Sequence, residues 1–191
     1  MPEEVDTAIR PAEPRDLEVC ARIIEDCYGD VPLFMPTSGE RMAARLERGG
    51  AEAAQIHWPR VYGWGDLYVY ERDGRVLACA GFWDAGQNVR EVWTHRRTGR
   101  RTVVEHAAVL DAGYARGCED AYVALLHHLM RLAGDAGRNR LAVWLDRDPR
   151  IVSMLAEQYD LWAETRALQC SFDEGTSTEG IERPYIDLAY W

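Results

Sequence analysis

The sequence predicts an α/β (α+β) fold: a mixed, mostly antiparallel sheet with a central parallel strand pair, flanked by helices. Two observations lead there. Two β-rich runs flank Asp73-Gly74 in "DLYVYERDGRVLACAGFWD", and this dipeptide favours a two-residue antiparallel turn. In the second half, strand-like "TVVEHAAVL" and "RLAVWLD" bracket a helical stretch, which is the pattern of a parallel crossover.

The elements follow in order. "TAIRPA" (Thr7–Ala12) reads as a first strand ended by Pro11. Asp16 is placed to cap a helix from Leu17 to about Tyr28, where Val19, Cys20, Ile23, Ile24 and Cys27 make one apolar face. Gly29–Gly39 is a Pro/Gly-rich connection. A second helix covers Glu40–Glu47 and continues less regularly through Ala51–Ile56. After the hairpin, Gln87–Thr102 reads as a polar, basic connection, and Thr102–Leu110 as one strand. A helix runs from about Glu119 to Ala133 and ends near Gly134 and Gly137. Arg140–Asp146 is a buried strand, and Pro149 suits the first turn of a further helix. "ETRALQCSF" and "YIDLAYW" close the chain as two strands around a polar loop, Asp173–Gly180. No repeat or linker divides the chain, so one domain over 1–191 is expected.

Composition narrows the function classes. The net charge is −10, which argues against nucleic acid as a partner, since phosphate binding needs a basic face. The basic cluster "THRRTGRR" (Thr94–Arg101) reads as a solvated hairpin or loop tip, the alternative being a contact for an anionic group. No apolar run approaches 18 residues, so no membrane partner is expected. The acidic start "MPEEVDTAIRP" does not read as a signal peptide. Five dispersed cysteines without a CxxC pair suggest reduced thiols in a cytoplasmic protein. His127 and His128 lack a third ligand at metal spacing, so no metal site is expected.

The stretch "ARGCEDAYVALLHHLM" (Ala115–Met130) is the most informative. A glycine loop enters an amphipathic helix, a local arrangement that attracts anions, but Glu119 and Asp120 sit at the helix start. These acids also stabilise their own helix through its dipole, at roughly 0.3–1 kcal/mol each.

The element order, with "IRPAEPRDLEVCARII", "LYVYERDGRVLACAGF" and "EHAAVLDAGYARGCEDAYVALLHHLMRLAGDAGRNRLAVWLD", resembles the GCN5-related N-acetyltransferase (GNAT) superfamily over nearly the whole chain. The resemblance implies an acyl-coenzyme A co-substrate, acetyl-CoA or another acyl-CoA. Its pyrophosphate would lie on a loop of R/Q-x-x-G-x-G/A type, and its pantetheine arm between two diverging strands. On this sequence Arg116 takes the Arg/Gln position, Glu119 replaces the central glycine, Ala121 is the last small residue, and Gly117 is an auxiliary glycine. The implied cofactor contacts are Val109 on the strand and Ala115, Arg116, Gly117, Cys118, Glu119, Asp120 and Ala121 in the loop.

For catalysis the resemblance implies a strand glutamate that takes the amine proton, directly or through water. Glu105 fits, four residues before Val109. On a continuous strand His106 would point to the opposite face. The family's thiolate-protonating tyrosine falls on Ala156 here. Tyr159 is the nearest replacement, and Ser153 lies one turn before Ala156. The implied function is N-acyl transfer to a small-molecule amine or amino-acid-like acceptor, with a homodimer as a candidate assembly. The alternatives are a relative that binds without transfer, and other chemistry on the same scaffold.

Overall fold

The structure, a computed structural model, describes residues 8–30, 36–56, 62–87, 91–94, 97–143 and 149–157. The elements are β1 (Ile9–Pro11), α1 (Leu17–Tyr28), α2 (Gly39–Ile56), β2 (Leu67–Arg72), β3 (Arg75–Trp83), β4 (Glu91–Thr94), β5 (Arg101–Val104), β6 (His106–Tyr114), α3 (Glu119–Asp135), β7 (Arg140–Ala142) and α4 (Pro149–Ala156). Among the described residues five strands form one sheet in the order β1-β2-β3-β6-β7. Every neighbouring pair is antiparallel except β6 and β7, which are parallel and joined through α3. The mixed sheet and its parallel pair are thus as the sequence predicts. The two expected C-terminal strands lie outside the described residues, as does the end of the strand expected over Arg140–Asp146.

The β2–β3 hairpin turns at Asp73 (φ 53°) and Gly74 (φ 71°), the doubly left-handed turn that matches strand twist. Pro149 opens α4, where a missing N–H costs nothing. α1 spans the predicted range and buries Cys20, Ile23 and Ile24.

Two expectations sharpen, for α2 and the basic connection, and two change, for Asp16 and the strand over Thr102–Leu110. Asp16 does not cap α1 with its side chain. Its buried carboxylate instead takes hydrogen bonds from Arg10 (2.7 and 3.0 Å) and from the Glu13 amide (2.8 Å). Here a guanidinium satisfies more of a buried carboxylate than one helix amide would. Second, α2 is one helix running through Gly49-Gly50. Ser38 caps it through Oγ to the Arg41 amide (3.3 Å), and Gly49 is where the Tyr62 carbonyl crosses: a Cβ there would lie 1.7 Å from that oxygen. Third, the basic connection contains a two-stranded hairpin, β4–β5, outside the main sheet, with Gly99 (φ 67°) near its tip. Arg97, Arg100 and Arg101 are exposed there, which is the solvated-tip reading of the cluster. Fourth, the single strand expected over Thr102–Leu110 is two strands in two sheets, with Glu105 at the break.

The core has two layers, one on each face of the sheet. On one face α1 and α2 pack Leu17, Ile23, Ile24, Met42 and Leu46 against Leu67, Val69, Cys79 and Leu110. On the other, α3 and α4 place Leu125, Leu126, Leu129, Ile151 and Leu155 over Ala78, Ala80 and Val109. Each fully buried leucine contributes roughly 1.5–3 kcal/mol. β6 contributes to both layers, Leu110 to the first and Val109 to the second, and it leads into the candidate site. Among the described residues no helix is long and apolar enough to cross a membrane.

Candidate active site

β6 and β7 run together for three pairs only: His106↔Arg140, Ala107↔Leu141 and Ala108↔Ala142. Val143 is already outside the strand. From Val109 onward β6 is paired through β3 on one side, and among the described residues no strand pairs with its other side.

A bulge lies just past the last β6–β7 pair. β3 advances two residues, from Cys79 to Gly81, while β6 retreats three, from Gly113 to Leu110. Asp111 and Ala112 therefore both oppose Ala80. Asp111 takes φ 48°, a left-handed conformation costing about 1 kcal/mol or more for a residue with a side chain. The bulge also turns Leu110 and Asp111 onto the same face, under α1 and α2. There the Asp111 carboxylate, 4% exposed, pairs with Arg45 of α2 and accepts a hydrogen bond from Tyr62 (2.8 Å). Burial first, and the Asp111 charge second, hold the Tyr62 phenol well above its ordinary pKa, so it stays a donor. The Tyr62 ring packs on Gly81, where a Cβ would fall 2.3 Å from the hydroxyl.

At the end of β6 the chain enters the loop. The Ala115 amide still donates to Leu77 of β3 (2.7 Å), and the Cys118 amide donates back to Ala115 (2.9 Å). Gly117 makes this turn possible with φ 80°. The Ala121 and Tyr122 amides donate to the Cys118 carbonyl (3.1 and 3.4 Å). The Arg116, Gly117 and Glu119 amides make no such bonds among the described residues, and nothing lies within 4 Å of a Cβ built on Gly117. These groups sit at the N-terminus of the 17-residue α3, where the helix dipole favours an anion.

The two acids at this helix start are both answered by cations. Glu119, 15% exposed, pairs with Arg150 in the first turn of α4 (3.3 Å). Asp120 pairs with Arg72 at the end of β2 (2.9 Å), whose guanidinium holds the carboxyl below its ordinary pKa. With Arg116, three guanidinium groups stand against two carboxylates around the open amides. The negative charge that made the sequence read ambiguously is thus neutralised by residues distant in the chain.

Glu105 lies at the other end of β6. Its amide donates to Asn139 Oδ1 (3.2 Å) and its carbonyl accepts from the Asn139 amide (3.1 Å). The side chain, 24% exposed, accepts from Arg138 Nη1 (3.4 Å). Arg138 is anchored more tightly by Asp84, at 2.5 and 3.2 Å. Its side chain lies over Gly86, where a Cβ would approach within 2.7 Å. Because Glu105 sits between two sheets, strand alternation does not decide whether it or His106 faces the cleft; both are half-buried. Glu105 and Ala115 are separated by the length of β6, about 30 Å for an extended run. A molecule touching both ends must be long and lie along the strand.

No protein-family model matches the sequence, and no curated protein matches it. Solved structures do. Glucosamine-6-phosphate N-acetyltransferase from Arabidopsis thaliana superposes with a TM-score of 0.50 at 12% identity, over 86% of this chain and 97% of that one. A ribosomal-protein-alanine N-acetyltransferase from Brucella melitensis gives 0.48 at 15% identity, over 78% and 82%. An acetyltransferase from Trypanosoma brucei gives 0.48 at 13%, over 85% and 98%. The first carries the assignment, and at such identity it speaks to fold alone. The fold is that of the GCN5-related N-acetyltransferases.

In this GNAT fold the described residues among the predicted site fall into three groups. Ala115, Arg116, Gly117, Cys118, Glu119, Asp120 and Ala121 form one continuous turn at the start of α3. Ala115 and Cys118 have their amides committed inside the protein, whereas those of Arg116, Gly117 and Glu119 make no backbone bond among the described residues. Val109 follows the last β6–β7 pair, its side chain buried among the α3 residues and its backbone paired to Phe82 on the β3 side. Glu105 is at the far end of the strand. Ser153 and Ala156 are exposed on α4, and Tyr159 lies outside the described residues. Sequence reasoning missed Asp111, Arg45, Tyr62, Asp84 and Arg138. One signal was available: an aspartate inside the apolar run "AAVLDAG", which a buried strand tolerates only with a partner.

Proposed function

We propose that this chain is an acyl-CoA-dependent N-acyltransferase, using acetyl-CoA or another acyl-CoA and acting on a small amine or amino-acid-like acceptor. The reading rests on the turn at the start of α3. It offers amides that make no backbone bond among the described residues, a left-handed glycine and a surplus of guanidinium charge at the end of β6. These features suit a ligand with a pyrophosphate at one end and an extended arm. When bound, such a donor supplies an activated acyl thioester. The Arg116, Gly117 and Glu119 amides would hold its phosphates, and the backbone from Val109 to Ala112 would face its arm. Arg116 adds charge.

Glu105 is the candidate proton acceptor for the acceptor ammonium, directly or through a water. Arg138 and Asn139 fix its position. The freed amine would attack the thioester carbonyl carbon, forming the C–N bond as the C–S bond breaks and the thiolate leaves with a proton. Tyr159 is the candidate donor of that proton. The acidic surface favours a cationic acceptor. The free thiols Cys20, Cys27, Cys79 and Cys118 suit a cytoplasmic setting.

A second reading is a protein that binds the donor without transfer. Alanine at position 156, where the resembled family carries tyrosine, favours it. Two measurements separate the readings. Calorimetry with CoA and acetyl-CoA tests donor binding, and absence of heat with both defeats either version. Thiol release from acetyl-CoA across a panel of amines then tests transfer. Binding with no release by any amine selects the second reading.

A further inference from the structure

The β4–β5 ribbon stands beside Glu105, and nothing in the proposed chemistry uses it. β5 ends at Val104, one residue before Glu105, and Glu91 at the start of β4 lies opposite Val104. Both strands are therefore rooted at the candidate proton acceptor. Asn139 ties this root together: its side chain donates to the Val103 carbonyl (3.1 Å) and accepts from the Glu105 amide (3.2 Å). The root is at the N-terminal end of β6, and the phosphate turn follows the C-terminal end. A donor held by that turn reaches Glu105 along β6, whereas the ribbon leaves from the opposite end.

The register fixes what one face of the ribbon presents. Val92 pairs with Val103 and Thr94 with Arg101, so these four side chains share a face, opposite that of the buried Val104. Val92 and Val103 are 46% and 45% exposed, and Thr94 and Arg101 are exposed beyond them. Arg97 and Arg100 are exposed in the connection. In this chain of net charge −10, Arg10, Arg45, Arg72, Arg138 and Arg150 all pair with carboxylates. Arg97, Arg100 and Arg101 make no ion pair among the described residues. Solvation explains their exposure. It does not explain the order met outward from Glu105: a carboxylate, an apolar pair, then a cation, with Arg101 about 13 Å along the extended chain. We propose that this face is the acceptor subsite, and that the acceptor is an amine with an apolar middle and an anionic group at its far end. The proposal rests on the acyl-transfer reading and on Glu105 as its proton acceptor. The ammonium is directed to Glu105, the middle covers Val92 and Val103, and Arg101, helped by Arg97 and Arg100, receives the anion. An α-amino acid is too short to engage both ends.

The test uses two acceptors matched in all but charge. 8-aminooctanoate and 8-aminooctanamide share one chain, and their ends are far enough apart that the amine is equally basic in both. Thiol release from acetyl-CoA is followed at low salt. The carboxylate should give a KM about fivefold lower than the amide, the scale of one exposed ion pair, with kcat little changed. The preference should vanish near 1 M salt, where the Debye length is about 3 Å. In R97Q/R100Q/R101Q the two acceptors should give equal KM values, while the KM for acetyl-CoA stays within about twofold of the unmodified protein. V103T should raise the KM for both acceptors about threefold, because the chain loses apolar cover. Four results overturn the proposal and leave acyl transfer standing: equal KM values in the unmodified protein, a preference that survives in the triple variant, an unchanged KM in V103T, or transfer to other amines but to neither probe. A triple variant that raises the KM for acetyl-CoA instead assigns the arginines to the donor and also overturns it. If the unmodified protein transfers to no amine across a wide panel, the acyl-transfer reading itself fails and the proposal with it. If the triple variant does not fold, the salt dependence of the ratio in the unmodified protein decides.

Discussion

Replacing Asp111 by alanine should be among the most damaging single changes in this chain. The substitution leaves Arg45, 8% exposed, without its carboxylate. Removing one partner of a buried ion pair costs about 3–5 kcal/mol, because the remaining charge stays desolvated. The Tyr62 hydroxyl loses its acceptor at 2.8 Å, at roughly 1–3 kcal/mol. Alanine at φ 48° adds about 1 kcal/mol over aspartate. Arg45 has a further interaction and the side chains relax, so the low end of the combined range applies, about 5 kcal/mol. For a chain of this length each kcal/mol moves the unfolding midpoint by about 2–4 °C, so the midpoint should drop by roughly 10–20 °C. R45M/D111G should recover most of that loss, to within about 2 kcal/mol of the parent, since it leaves no orphaned ion. Urea and thermal unfolding of the parent, R45M, D111A and R45M/D111A measure the coupling between the sites. A D111A variant within about 1 kcal/mol of the parent, or losses from R45M and D111A that simply add, would refute the buried-pair account.

Three further outcomes are expected. Glu119→Gly should tighten CoA binding by about fivefold at low salt, the scale of one unit charge near water-exposed phosphate, and the gain should shrink as salt rises; Arg150→Gln should weaken binding comparably, because it strips Glu119 of its partner, and a salt-independent response in either variant contradicts this. Glu105→Gln should lower turnover by roughly 10²–10⁴-fold with CoA affinity little changed, while His106→Asn stays near the parent rate; the reverse pattern would make His106 the proton acceptor. His128, stacked edge-on against Tyr68 at 4.9 Å, has its pKa lowered, by burial first and by Arg131 second. The unfolded chain then binds the proton more readily, so stability should be constant above about pH 6.5 and fall as pH drops from there toward the folded pKa. His128→Leu should flatten that slope in urea titrations run at several pH values, and an unchanged slope would assign it to other groups.

What the sequence made legible is local. Asp73-Gly74 names its own turn, Pro149 its own helix start, and the 3.6-residue spacing of Val19 to Cys27 its own buried face. The parallel β6–β7 pair also followed from local pattern, because a strand–helix–strand run has essentially one handed solution. What stayed hidden depends on partners far along the chain. Asp16 looks like a cap until Arg10 and its own burial are known. Glu105 looks like mid-strand because Val103 and Val104 continue the β pattern, yet the strands on either side of it join different sheets. The loop acids read as hostile to phosphate because Arg72 and Arg150 lie 48 and 31 positions away in the numbering of the sequence. Asp111 was visible as an anomaly, but no local rule points to Arg45.

Gly49 has a practical consequence for anyone stabilising this protein. A glycine inside an 18-residue helix invites replacement by alanine, which ordinarily adds about 1 kcal/mol through helix propensity. Here the missing methyl is the space through which another segment's backbone passes, 1.7 Å from where the carbon would be. The helix tolerates poor propensity at that turn because a tighter crossing depends on it. Consensus-style design that scores helices one residue at a time would therefore choose the wrong residue at this position.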